Sequence, residues 1–433
     1  MKISVIGCGY LGAVHAACMA DLGHDVVGVD VDEAKVAQLA EGRAPFFEPG
    51  LPEKLASALA SGRLTFTTDL HRVADADVHF VAVGTPQQQD SYAADLRFVD
   101  AAFESLLPHL RPDALVVGKS TVPVGTAARL AESVEAVGAR LAWNPEFLRE
   151  GFAVHDTLAP DRLVYGVRTG DQASVADLDA VYAAALERDT PRVVTDFATA
   201  ELVKVAANAF LATKISFINA MAEVAEATGA DVTQLADAIG YDARIGRRFL
   251  NAGLGFGGGC LPKDIRGFMA RAEELGVDQA LEFLREVDSI NLRRRERMVA
   301  LAREVLGGEI EGHRIAVLGL AFKPDSDDVR DSPALDVAAR LAELGAVVVA
   351  TDPEAIETSR RLRPTLSYVS TVDEAVKGAD AVLLLTEWRE YRDLDPARLA
   401  ALVASPVIVD GRNCLDPTLW RGAGWTYRAL GRP

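Results

Sequence analysis

Short apolar runs ending in Gly, Asp or Pro alternate with helix-like stretches through the first two hundred residues. Lys2–Ile6, Asp25–Val29, Val78–Val83, Ala114–Val117 and Leu163–Val167 are such short, largely apolar runs. Such runs read as strands covered on both faces, which predicts a mostly parallel sheet wrapped by helices. The pattern stops at about Ala198, and the Ala-rich stretch to Ile239 reads as helix without strand candidates. Strands resume at Arg314–Leu318, Val347–Ala350, Ala381–Leu385 and Val407–Val409. The expected class is α/β, with two doubly wound parallel-sheet domains (1–197 and 297–433) joined by a long central helix in a region 198–296.

On a helical wheel of the central stretch, Leu202, Val205, Ala206, Ala209 and Phe210 form one apolar face, with Lys204 and Asn208 opposite. Leu211, Ile215 and Ile218 continue along that opposite face, so the pattern predicts a helix buried on both sides. Such a helix can join the domains and supply a dimer interface.

At 433 residues the chain exceeds a single core. Its net charge of −18 argues against a general attraction to nucleic acid or anionic membrane, so an anionic ligand needs local cations or helix N-termini. Cys8, Cys18, Cys260 and Cys414 are scattered without metal or disulfide spacing, and no metal is expected. The apolar N-terminus is broken by Gly7, Gly9, Gly12 and His15. It is therefore not read as a signal, no segment reads as a membrane span, and the expected location is the cytoplasm.

Those glycines have a better explanation. Gly7-Cys8-Gly9-Tyr10-Leu11-Gly12 follows the first strand and opens a helix. Gly7 permits the tight turn, Gly9 the approach of a pyrophosphate, and Gly12 close packing. Asp30 ends the second strand, where a carboxylate bonds ribose hydroxyls and disfavours a 2′-phosphate, with Lys35 nearby moderating that exclusion. The reading is a Rossmann-like NAD site. Gly319 and Asp352 partly repeat the layout without the full glycine set.

Three further segments carry chemistry. Ser120-Thr121-Val122-Pro123 and Asn144-Pro145-Glu146-Phe147-Leu148-Arg149-Glu150-Gly151 each follow a strand, where ligands of open α/β sheets bind. In Gly255-Phe256-Gly257-Gly258-Gly259-Cys260-Leu261-Pro262-Lys263-Asp264, a flexible glycine run delivers one thiol to a helix start. The helix N-terminus and Lys263 favour thiolate, and Asp264 is placed to act as acid or base. The other three cysteines read as small buried apolar residues.

With Glu201-Leu202-Val203-Lys204, Asn208, Phe322-Lys323-Pro324 and Asp328-Val329-Arg330, these motifs run in order along essentially the whole chain. The sequence resembles the UDP-glucose/GDP-mannose dehydrogenase family, above all its members that act on UDP-glucose. The resemblance implies a four-electron oxidation of a sugar C6 alcohol to a carboxylate with two NAD in turn. Lys204 would polarise or help deprotonate the C6 hydroxyl, and Cys260 would carry a thiohemiacetal and then a thioester. Glu146 and Asp264 would assist hydrolysis, with Asn208 and Thr121 orienting oxygen and water. The covalent step has its own logic: an aldehyde has no hydroxyl to lose a hydride from, and thiolate addition restores one.

The resemblance further implies NAD contacts at Tyr10, Leu11, Thr85, Thr121, Glu150, Lys263 and Arg330. Around the nucleotide sugar it implies Glu146, Phe147, Leu148, Arg149, Glu150, Lys204, Asn208, Phe249, Leu250, Asn251, Ala252, Gly253, Gly257, Lys323 and Arg412. Arg244 matches an arginine that reaches substrate from a second subunit, implying a homodimer. Lys204, Arg244, Lys263, Lys323 and Arg330 would gather positive charge where the pyrophosphates sit. The 1–197 domain would bind NAD and 297–433 the UDP moiety. Gly259 departs from the Ser that many relatives carry. Oxidation of GDP-mannose or UDP-N-acetylmannosamine remains an alternative, as does a non-catalytic regulator binding NAD and a nucleotide sugar.

Overall fold

The run Lys2–Ile6 forms β1, whose last four residues are all buried, as a strand covered on both faces requires. The computed structural model describes residues 1–433. They divide into two compact units, Met1–Ala207 with Arg266–Gly276 and Asn208–Ile265 with Val277–Pro433.

The first unit adds β2 (Asp25–Val29), β3 (Leu64–Thr67), β4 (Val78–Val81), β5 (Leu115–Gly118), β6 (Arg140–Trp143), β7 (Leu163–Gly166) and β8 (Arg192–Thr195). The sheet runs β3-β2-β1-β4-β5-β6-β7-β8. It is parallel except where β7 meets β6 antiparallel at Trp143 and Gly166. Strand order reverses between β1 and β4, the crevice where doubly wound sheets bind ligands. β3 and β8 escaped the apolar-run criterion because they are edge strands with half-exposed or exposed side chains.

The second unit holds β9 (Arg314–Leu318), β10 (Val347–Thr351), β11 (Ser367–Tyr368), β12 (Ala381–Leu384), β13 (Val407–Asp410) and β14 (Thr426–Ala429). Its parallel sheet runs β11-β10-β9-β12-β13-β14, the same winding as the first. The two strands absent from the sequence reading are again the edges: β11 has two residues, and β14 alternates exposed and buried. Asp352, at the end of β10, accepts backbone N–H groups from Leu320, Ala321, Glu354 and Ala355 and the Trp388 indole. Its acceptor capacity is spent holding its own loop, which separates it from Asp30.

The central helix spans Phe197–Thr228. Its burial differs from the expected pattern. Lys204 and Asn208 are buried, whereas Leu202, Ala206 and Phe210, on the face read as apolar core, are exposed. By length and composition this helix could cross a membrane, contrary to the expectation that no segment comes near. It nevertheless buries Lys204, Asn208, Ser216 and Asn219, the habit of a core helix.

Early in the helix, buried Glu201 accepts the N–H groups of Gly125 and Ala127, each at 2.7 Å. It thereby caps the helix Thr126–Ala136, whose own N-cap, Gly125, has no side chain to do so. Glu201→Ala leaves these donors unpaired, and thermal or urea unfolding should show a loss of roughly 2 kcal/mol. An unchanged midpoint would mean that water satisfies the helix end.

Candidate active site

In the first unit, Gly7 takes φ +88° and donates to the Val29 carbonyl, turning the chain sharply after β1. A Cβ on Gly12 would lie 1.8 Å from the Gly7 carbonyl oxygen, so the helix Tyr10–Asp21 can start here only on glycine. A Cβ on Gly9 would meet nothing within 4 Å, which leaves open space where the fingerprint needs it. Asp30 is almost buried beside this loop; its Oδ2 accepts the Cys8 N–H at 2.8 Å and the Lys35 ammonium at 3.0 Å. The open turn, the helix N-terminus and the acid at the end of β2 fit a dinucleotide.

Sequence reading missed Glu48. It is buried and accepts the N–H groups of Gly151 and Ala153 at 2.7 Å each, and it receives the Tyr10 hydroxyl. Burial and the Glu48 carboxylate hold Tyr10 protonated, far above the usual phenol range. Glu48 thus ties the loop carrying Glu150 to the helix carrying Tyr10 and Leu11. A lone acid between Phe47 and Pro49, far in sequence from Tyr10 and Gly151, gives no signal of this.

Thr85 and Thr121 stand together after β4 and β5, the Thr85 hydroxyl donating to the Thr121 carbonyl at 2.9 Å. β5 can end in Gly118 because the Trp143 ring of β6 fills that space; a Cβ there would lie 2.1 Å from it. After β6, Glu146 forms an ion pair with Lys204 at 3.0 Å, both side chains largely buried. Its other oxygen accepts the Leu148 N–H at 2.8 Å. The Phe147 ring lies 5.7 Å from the Lys204 ammonium and 3.8 Å from the Arg162 guanidinium. Arg149 is half exposed and clamped to Asp156, its Nε and one terminal nitrogen donating to the two carboxylate oxygens.

In the second unit, Cys260 is exposed and immediately precedes the helix that starts at Leu261. The Asp264 N–H donates to the Cys260 carbonyl at 2.9 Å, the first helical turn. The buried Asp264 carboxylate accepts the Asn208 amide at 2.6 Å and the Lys263 ammonium at 2.7 Å. The other cysteines are poor nucleophiles: burial pushes the Cys8 and Cys18 thiols up to about 12, and Cys414 is raised further by burial and Asp410.

The glycine run before Cys260 is packed, which corrects its reading as a flexible tether. A Cβ on Gly255 would lie 2.1 Å from Asn291 Oδ1, on Gly257 2.4 Å from the Asp331 carbonyl, and on Gly258 2.8 Å from the Phe322 ring. Asn291, another residue that sequence reading missed, grips Phe256 through both its N–H and its C=O. On Gly259 a Cβ would lie 2.3 Å from the Arg330 guanidinium, so the departure from Ser makes room for that side chain here.

Phe249 sits at φ +67°, strained for a bulky residue, and opens a loop stitched to its surroundings. Leu250 and Ala252 are buried, the Gly253 N–H donates to Asn219, and Asn251 accepts from Arg247. Arg412 is no surface charge: its fork holds the carbonyls of Leu385, Gly255 and Phe322. Lys323 lies 5.4 Å from the Phe322 ring. The cations expected to meet pyrophosphates are largely matched within the chain: Lys204 by Glu146, Lys263 by Asp264, Arg330 by Asp328 and Arg244 by Asp242. Arg244 is highly exposed and touches none of the site residues named in its unit.

Models of the UDP-glucose/GDP-mannose dehydrogenase family match most of the chain. Its NAD binding domain covers residues 1–186, its central domain 198–293 and its UDP binding domain 316–417. The chain is 44% identical over its full length to the whole UDP-glucose 6-dehydrogenase of Rhizobium meliloti (strain 1021). To UDP-glucose 6-dehydrogenase TuaD of Bacillus subtilis it is 42% identical over all of this chain and 93% of that one. The solved UDP-glucose dehydrogenase of Pyrobaculum islandicum superposes with a TM-score of 0.90 at 41% identity, covering 100% of this chain and 98% of the other. The glycine turn with its acid, the Lys204–Glu146 pair and the thiol above a hydrogen-bonded aspartate are thus set in a chain that belongs to the UDP-glucose/GDP-mannose dehydrogenase family.

Proposed function

We propose that this protein oxidises UDP-glucose to UDP-glucuronate in two two-electron steps, with Cys260 holding the sugar between them. The observation that carries the reading is the exposed thiol at a helix start, with Asp264 one turn on and fixed by Asn208 and Lys263. NAD would be held by Gly7–Gly12 and Asp30 and would supply the hydride acceptor for each oxidation.

In the first step the C6 alcohol loses a hydride and a proton. Lys204, buried against Glu146, takes up or steers that proton. The aldehyde then accepts the Cys260 thiolate, forming a C–S bond and a tetrahedral hydroxyl that can lose the second hydride. The resulting thioester is cleaved by water: its C–S bond breaks, the thiol is regenerated and the carboxylate leaves. Asp264 is placed to bear on the water's proton, and Asn208 holds Asp264 in orientation. Thr121 and Glu146 orient oxygen and water in the same reading. Lys204 and Asn208 are four positions apart in the long helix, so they share one face of it.

The NAD contacts assigned to Tyr10, Leu11, Lys35, Thr85, Glu150, Lys263 and Arg330 belong to this proposal. So do the nucleotide-sugar contacts of Phe147–Arg149, the Phe249–Gly253 loop, Gly257, Lys323 and Arg412, and the division at 197 and 296. Four cysteines in the thiol form, none in a disulfide, accord with a reducing, cytoplasmic setting. A homodimer is supported by the long helix, where Phe210, Phe217 and Val224 are exposed at seven-residue spacing. That apolar stripe fits a second copy of the same helix, and Arg244 is free of its own subunit's core.

The test is to count NADH against UDP-glucose, GDP-mannose and UDP-N-acetylmannosamine. UDP-glucose should give close to two NADH per sugar, and Cys260→Ala no more than one, with at least a hundredfold lower carboxylate formation. Two NADH per sugar from Cys260→Ala, or free aldehyde as the wild-type product, would refute the thiol's role. Phe210→Asp should shift sedimentation from dimer towards monomer; an unchanged profile would remove this stripe as the interface.

A further inference from the structure

We propose that Lys119 is a positioning residue: its buried ammonium fixes the loop at Asn144 that carries Glu146 and, by its charge, bears on the Lys204–Glu146 pair. The inference rests on the role given to the Glu146–Lys204 pair above.

Lys119 follows β5 and is only 6% exposed. Its ammonium donates to Asn144 Oδ1 at 3.0 Å, to the Asn144 carbonyl at 3.5 Å and to the Tyr182 hydroxyl at 3.2 Å. Tyr182 in turn donates to the same Asn144 oxygen at 2.7 Å, and the Asn144 amide donates to the Val164 carbonyl. The faces of Phe80 and Tyr182 lie 5.6 and 5.8 Å from the nitrogen. Every one of these partners is neutral, so the cation has no ion pair to offset its desolvation. A glutamine could hold Asn144 at far lower cost. What the lysine adds is charge.

That charge acts on one anion and one cation, attracted by Glu146 and repelled by Lys204. The repulsion is mutual, so Lys119 favours the neutral amine at Lys204. The other titratable groups lining the cleft beside Lys119 are His15, Tyr182, Asp156, Asp161 and Arg162. His15 is held neutral by burial and by Lys119 itself, and Tyr182 is held protonated by burial. Asp156 is occupied by Arg149, while Asp161 and Arg162 line the far side of the same cleft. Burial brings Lys119 down to about 8, which leaves its charge present through neutrality.

The experiment compares the pH dependence of initial NADH formation at saturating substrate for the intact protein and for Lys119→Gln, Lys119→Met, Lys119→Arg and Tyr182→Phe. In the uncharged variants the acid limb should move up by about one pH unit. In Lys119→Arg it should lie no higher than in the wild type, and in Tyr182→Phe, which keeps the charge but loses a tie to Asn144, it should stay in place. A limb that keeps its midpoint in Lys119→Gln or Lys119→Met while the rate falls would overturn the proposal. So would an upward shift in Lys119→Arg, which can be read even if the uncharged variants fail to fold. Absence of NADH from the wild type would instead strike at the assigned function.

Discussion

An ammonium buried on a helical face is costly unless a carboxylate meets it, and the pair Lys204–Glu146 at 3.0 Å is that meeting. The carboxylate comes from the loop after β6, and the loop is held by Asn144, Tyr182 and Lys119. The helix that brings the ammonium is itself anchored by Glu201 on the helix start at Gly125. The first unit therefore fixes a charged pair largely out of solvent, where each charge acts on the other more strongly than in water. Asp264 illustrates the same rule in the second unit. Its carboxylate is buried but satisfied by Asn208 and Lys263, one turn beyond an exposed thiol.

Both arrangements depend on close backbone packing. The glycine turn after β1 exists because Gly7 tolerates a positive φ and Gly12 has no Cβ to strike it. The run before Cys260 uses glycine for the same reason, each position lying against Asn291, Asp331, Phe322 or Arg330. A thiol that must meet a carbon atom within a fraction of an ångström gains from a rigid approach. Glycine here buys proximity, with rigidity supplied by the neighbours.

Much of this was legible in the sequence. Central strands announced themselves because burial on both faces demands consecutive apolar residues. The glycine fingerprint, Asp30 and the thiol with its flanking Lys263 and Asp264 carry their chemistry in local spacing. Edge strands β3, β8, β11 and β14 were hidden because half-exposed residues look like loop. The long helix was misjudged because composition does not say which face is covered. Lys204 and Asn208 are inside, and Phe210 is out. Glu48, Lys119 and Asn291 gave no signal, and Glu201 stood out only as part of a motif, since each acts through partners remote in sequence. A buried polar residue is meaningful only once its neighbours are known.

The central claim is that the sugar is bound to one sulfur between two oxidations. Rapid quenching in acid during turnover with UDP-glucose and NAD, followed by proteolysis and mass spectrometry, addresses it directly. The account predicts a transient increment on the peptide bearing Cys260, equal to a UDP-glucuronyl acyl group and absent when NAD is withheld. Carboxylate accumulating while that peptide stays unmodified at every quench time, or an acyl group on any other residue, would contradict it.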